Sequence, residues 1–308
     1  LSLNLDKTAV EVFTRDGEEW TRYTRSSKCG GITKPVELKR YMPINRKTGE
    51  FFGLMQAESR KHGHKFDFTN ILFSEHKLFI VVAEGLGIPR SMWSFGVIYN
   101  PEISQNEVLK AKEMFARQLS LDKEGYITQS QSITKFAFQI AINSVILNQI
   151  MNKILKVLRK EVYLTNRNQN FKNFCLGFLM KDMLGDGTVT SPNSKNLQTC
   201  IMEPDLEAQE DIINICKLFR IRTNKQGIKL YLSANFESVI FYLQNGAFLG
   251  HEKNRRKLER WAQGNFYFKI LEKRLRTMDS LANSKEFAKN NNINIKTAQR
   301  YLERNHKR

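Results

Sequence analysis

Acidic side chains are the first shortage in this chain of 308 residues: 31 Asp and Glu stand against 49 Lys and Arg, a formal net charge of +18. An excess of that size repels itself in a compact state. It calls for a polyanionic partner, with nucleic acid ahead of an anionic membrane surface. Long apolar runs are also missing; none approaches the roughly 20 residues that cross a bilayer, so no membrane partner is expected. No charged-then-apolar segment of the secretion type opens the chain. An intracellular, cytoplasmic location (organellar in a eukaryote) is the expectation. Only four cysteines occur, Cys29, Cys175, Cys200 and Cys216, without a CxxC pair. That spacing excludes a zinc site or a disulfide framework and fits a reducing compartment. Of five histidines, His62 and His64 lie close together, but no third His or Cys follows at metal-ligand spacing. Hydrolytic chemistry, if present, must therefore rest on carboxylates.

What is present is a periodic pattern that runs through twice. Residues 1–45 read as an irregular basic arm around the turn at Cys29–Gly31. Residues 46–165 then carry a helix at FFGLMQAES opening near Gly49, and a strand in which Phe66 and Phe68 alternate with Lys65, Asp67 and Thr69. A helix N-capped by Ser74 follows, then a strand at SMWSFGVIYN and an amphipathic helix at SQNEVLKAKEMFARQLSL. The strand KFAFQIAINS sets Phe136, Phe138, Ile140 and Ile142 against Lys135, Gln139 and Asn143, and a long helix closes the unit. Residues 166–250 go through a similar helix–strands–helix–strands–helix order from FKNFCLGFLMKDMLGDG. Two weakly related α+β halves are expected. Residues 251–279 form a basic helical linker, with nine Lys or Arg against three acids over 251–276. Residues 280–308 read as a small helical unit, helix, turn at Asn291–Asn292, helix from about Lys296, of the kind that lays its second helix in a DNA groove.

The chemistry-bearing residues sit on the opening helix of each half. Gly53 and Ala57, at i and i+4, share a helix face and allow close approach of a second helix. Glu58 ends that helix; Asp186 ends the other, 128 residues later (186 minus 58). An acid at a helix C-terminus opposes the macrodipole, so neither has an obvious structural reason to be there. If the two helices pack together, the carboxylates meet, repel, and are relieved by a divalent cation. Asp182, one turn upstream of Asp186, is a rival acid and is discounted.

FFGLMQAES (51–59) and LMKDMLGDG (179–187) each resemble the nine-residue motif of the LAGLIDADG homing endonucleases, with Gly53, Ala57 and Gly185 at small positions and Glu58 and Asp186 as the final acids. Gln56, Ser59 and Lys181 depart from the commoner residues. The resemblance covers roughly residues 45–250. It implies two pseudo-symmetric αββαββα halves in a single chain acting as a monomer. It implies site-specific cleavage of double-stranded DNA, with Mg²⁺ (or Mn²⁺) held by Glu58, Asp186 and the carbonyls of Ala57 and Gly185. A polar or basic companion of each acid is implied at Gln139 and Lys229. DNA would be read by Lys65, Asp67, Thr69, Lys135, Asn143, Asn193, Lys195, Asn196, Gln198, Tyr231 and Ser233 on the strands, and by Lys296 and Arg300 in the tail. Two alternatives share the motif: a non-catalytic regulator joining such a domain to a C-terminal helix-turn-helix, and an intron RNA maturase, for which intron RNA is the partner.

Overall fold

The first strands arise where an irregular arm was expected. In the computed structural model, Thr8–Arg15 (β1) and Glu18–Arg25 (β2) form a hairpin, and Val36–Lys39 (β3) extends it in the order β1-β2-β3. Asp16 and Gly17 make the turn, both at positive φ (52° and 78°). Asp-Gly between two strand-length runs is the strongest short-range hairpin signal, because a primed turn matches strand twist. Nor is this region a bare cationic surface. Arg15 and Arg22 pair with Glu37, Arg22 with Glu11, and Arg40 with Glu19. The sheet is attached through Tyr23, Val36 and Leu38, which join the main core. The structure describes residues 8–25, 34–59, 63–121, 125–161, 168–193, 196–276 and 289. The Cys29–Gly31 turn and the tail unit, with Lys296 and Arg300, lie outside them, as does Lys195.

Helix α1 (Arg46–Glu58) begins three residues before Gly49. Asn45 and Thr48 form a reciprocal cap: Asn45 Oδ1 accepts from the Thr48 N–H at 3.1 Å, and Thr48 Oγ1 from the Asn45 N–H at 3.0 Å. Then come β4 (Phe66–Asn70), α2 (Phe73–Gly85), β5 (Ser94–Tyr99), α3 (Gln105–Leu119), β6 (Tyr126–Gln129), β7 (Phe136–Ile142) and α4 (Val145–Lys160). The N-cap of α2 is Leu72, without a side-chain hydrogen bond, and Ser74 lies inside the helix. The four strands order as β4-β7-β5-β6, with β5 and β6 parallel. A parallel pair needs a crossover, and α3 supplies it.

The second half is α5 (Gln169–Gly185), β8 (Gly187–Asn193), β9 (Asn196–Met202), α6 (Leu206–Leu218), β10 (Thr223–Gln226), β11 (Lys229–Leu232) and α7 (Phe236–Gln244). Its sheet is β10-β11-β9-β8, antiparallel throughout. The fold is therefore α+β, with sheets of different strand order in the two halves. Helix α8 (Glu252–Arg276) follows. It is docked at its start: Leu258 and Ala262 are buried, Asn254 Nδ2 donates to the Gly187 carbonyl (3.4 Å) and Lys257 Nζ to that of Val189 (2.6 Å). These side chains cover the β8 edge, whose unpaired carbonyls would otherwise invite another strand. No helix among the described residues is long and apolar enough to cross a membrane.

One apolar core runs through both halves, with α1 and α5 at its centre. Phe51, Phe52 and Leu54 of α1 and Phe174, Phe178 and Leu179 of α5 are at most 1% exposed.

Candidate functional site

Helices α1 and α5 pack side by side in parallel, because glycine removes the side chains that would hold them apart. A methyl added at Gly49 would overlap the Phe174 carbonyl, one at Gly53 the Phe178 carbonyl, and one at Gly177 the Arg46 carbonyl. The pairings rise together along both chains, so both C-termini lie at the same end. Lys181, where a small residue would be usual, leaves this seam intact; its ammonium turns to Glu75 of α2 at 2.5 Å, with both side chains largely buried.

Glu58 lies at the end of the seam, against the residue that precedes Asp186. A methyl on Gly185 would touch the Ala57 Cβ and lie 3.2 Å from Glu58 Oε1. Asp186, the next residue, is the C-cap of α5, its N–H donating to the Asp182 carbonyl at 3.0 Å. Glu58 and Asp186 are both half-buried, whereas Asp182 is fully buried and has no outlet to a substrate. The Ala57 and Gly185 carbonyls belong to the last turns of their helices, where no intrahelical N–H can reach them.

Burial pushes the Glu58 carboxyl up to about 7, against a smaller opposing effect from Asn70. Asn70 Nδ2 donates to Glu58 Oε1 at 3.1 Å. Sequence reading missed Asn70, although it continues the register of buried Phe66 and Phe68 on β4, where a polar residue must find a buried partner.

Lys229 opens β11, the strand before α7. It stands opposite Met202 across β9, and the Met202 N–H donates to the Asp186 carbonyl at 3.1 Å. Two strand spacings, roughly 10 Å, thus separate the Lys229 and Asp186 backbones, within reach of an exposed lysine. Gln139 does not stand free. It accepts from the Tyr126 hydroxyl and donates to Asp67 Oδ2 at 3.0 Å.

The outward faces of the sheets complete the surface. On the second sheet Thr188, Thr190, Gln198, Asn224, Gln226 and Lys229 are exposed and Tyr231 is half-buried, while Val189, Ile201, Leu230 and Leu232 face the core. Asn193 and Asn196 pair across the end of the β8–β9 hairpin. On the first sheet Lys65, Lys135 and Asn143 are exposed and Thr69 is half-buried. Two expected readers are placed otherwise. Asp67 is 2% exposed, because a carboxylate among apolar strands is held by Gln139 rather than offered to solvent. Ser233 bonds Ser238 at 2.7 Å, and its carbonyl accepts from the Tyr242 hydroxyl at 2.7 Å, fixing the turn into α7.

No family model matches this chain, and no curated protein matches its sequence.

Among the described residues no three His, Cys, Asp or Glu side chains gather in one cluster. Glu58, Asp186 and the two last-turn carbonyls offer oxygen donors only, the set that Mg²⁺ takes when water and substrate phosphate complete its shell. His76 gives no alternative base. It is buried between the Leu72 and Phe138 carbonyls (2.9 and 2.8 Å), and burial lowers its ring to about 4.

Proposed function

We propose that this chain is a divalent-metal-dependent endonuclease acting on double-stranded DNA, of the single-chain LAGLIDADG homing type. One observation carries the reading. The glycine-lined α1–α5 seam ends with Glu58 against Gly185, the residue before Asp186, and both acids are half-buried at helix ends that neither assists.

Glu58, Asp186 and the carbonyls of Ala57 and Gly185 would hold the cation. Bound Mg²⁺ supplies charge stabilisation on the scissile phosphate and lowers the pKa of a water. The protein does the rest. Glu58, raised to about 7 by burial, would have to be ionised to serve as a ligand, a change that a bound cation would favour near neutrality. Lys229 lends positive charge beside Asp186, where negative charge builds on the phosphate. The outward face of the second sheet places long polar side chains over a groove, and exposed Lys253 and Arg260 of α8 add phosphate contacts. Pseudo-symmetry of the two halves belongs to this proposal, as do a monomeric state and an intracellular location.

The main competitor is a non-catalytic regulator on a related fold. The changed strand order of the first sheet and the burial of Glu58 favour it. Incubation of the protein with a random-site DNA library and Mg²⁺, followed by sequencing of the ends, separates the two. The endonuclease reading expects a defined cut site that disappears in EDTA. Site-selective binding with no new ends at any Mg²⁺ concentration would leave the regulator.

A further inference from the structure

Gln56 is a polar residue on the buried side of α1, only 2% exposed, two residues before Glu58. Both ends of its amide are engaged. Nε2 donates to Glu203 Oε2, and Oε1 accepts from Arg159 Nη1. Glu203 is itself 1% exposed and follows Met202, the residue whose N–H holds the Asp186 carbonyl at 3.1 Å. Arg159, on α4, is braced by Asp211 of α6, with Nε and Oδ2 3.3 Å apart and both side chains about 5% exposed or less. A continuous path of bonded groups thus runs from the turn that carries Glu58 to the strand end that holds Asp186.

We propose that Gln56 is a positioning residue that sets the separation of Glu58 and Asp186, and with it the affinity for the cation. This rests on the reading of the two acids as a metal pair. The argument from chemistry is that an amide between a cation and an anion has one satisfying orientation: oxygen to the guanidinium, nitrogen to the carboxylate. In a water-excluded site the reverse orientation sets the amide oxygen against Glu203 and the amide nitrogen against Arg159, and a shift of the helix breaks both bonds, so the register of α1 against the end of β9 is over-determined. A glycine seam alone does not do this, since smooth helix faces can slide. Groups that hold the ligands from behind set metal affinity as strongly as the ligands' own identity does.

Three variants test it. Gln56→Glu faces Glu203 with a second carboxylate; Gln56→Glu with Glu203→Gln restores one donor and one anion in exchanged places; Gln56→Met removes hydrogen bonding at similar volume. Each is compared with wild type and Glu58→Gln by Mn²⁺ titration read by electron paramagnetic resonance, by thermal midpoint, and by DNA affinity in EDTA. Gln56→Glu and Gln56→Met are expected to weaken Mn²⁺ binding about tenfold or more, as loss of a positioning group does. The exchanged pair should return to within about threefold of wild type, with DNA affinity in EDTA held throughout. If Gln56→Glu does not fold, the comparison of Gln56→Met with the exchanged pair decides. A lowered midpoint with unchanged Mn²⁺ affinity in the Gln56 variants overturns this inference alone. Wild-type binding that is absent, or that survives in Glu58→Gln, overturns the acid-pair reading and this inference with it.

Discussion

The two four-stranded sheets have the same number of strands, yet they differ in how far their outward polar side chains bond to one another, the second face being the freer and the first the more closed. In the second sheet every strand pair is antiparallel, and the outward rows carry Thr188, Thr190, Gln198, Tyr231 and Lys229. In the first sheet, α2 and α3 separate strands that a hairpin would join, and β7 takes the place beside β4. Its outward rows hold Ala137, Ala141 and Gly96, with Asp67, Gln139 and Tyr126 bonded to one another. Alternation of polar and apolar residues therefore says which face looks outward, and not whether its side chains are available to a ligand. Availability depends on length and on pairing across strands, which the one-dimensional pattern does not contain.

The comparison breaks most completely at what the halves share. Gly53→Leu and Gly177→Leu each drive side-chain atoms into a backbone carbonyl of the facing helix. A cost of about 3 kcal/mol or more is expected, enough to lower the thermal midpoint by on the order of 10 °C or to prevent folding. Calorimetry on both variants reads it, and a midpoint within a degree or two of wild type would show that the seam yields.

The next effect sharpens the difference between the faces. Lys229→Ala with Gln198→Ala, on the free face, is expected to weaken DNA binding by about tenfold or more at physiological salt. Gln139→Ala, on the closed face, should change affinity by less than about twofold and instead cost about 1 kcal/mol of stability, since it removes one donor to buried Asp67. Equal losses of affinity from both faces would mean that DNA lies across the two sheets alike. Binding by the whole chain should also weaken steeply with salt, each neutralised phosphate contributing about 0.9 to the log–log slope. A flat salt dependence would remove nucleic acid as the partner of the +18 charge.

The smallest effect concerns Glu58 alone. Its folded-state value of about 7 lies above the ordinary 4.5, so the native state holds this proton more tightly than the unfolded chain does. The stability this contributes is complete below about 4.5 and is lost as pH rises through about 7. Glu58→Gln should therefore raise the metal-free thermal midpoint by a few degrees at pH 8 and hardly at all at pH 5. Equal shifts at both pH values would mean that the carboxyl is not desolvated.

Legibility followed the same physics. Helices α1 and α5 and the acids at their ends could be read because small residues at helical spacing and a terminal acid are local signals. The alternation in β4 and β7 was equally clear. The β1–β2 hairpin is legible in Asp16-Gly17, but the basic composition of its flanks masks that turn signal. The strand order of the first sheet could not be read, since β4–β7 pairing joins residues some 70 positions apart, Asn70 opposite Phe138 among them. Gln56 looked like a departure from a motif. Its two partners, Glu203 and Arg159, lie 147 and 103 residues away, and only the fold brings them together.

The convergence of Glu58 and Asp186 is tested most directly by strand-resolved cleavage of a recovered target with Mg²⁺, comparing wild type, Glu58→Gln and Asp186→Asn. Both variants should bind the target within about tenfold of wild type and fail to make the double-strand break, because on the proposed reading each acid is needed and, among the described residues, no cluster of acids offers a substitute. A wild-type rate of double-strand cleavage in either variant would contradict the account.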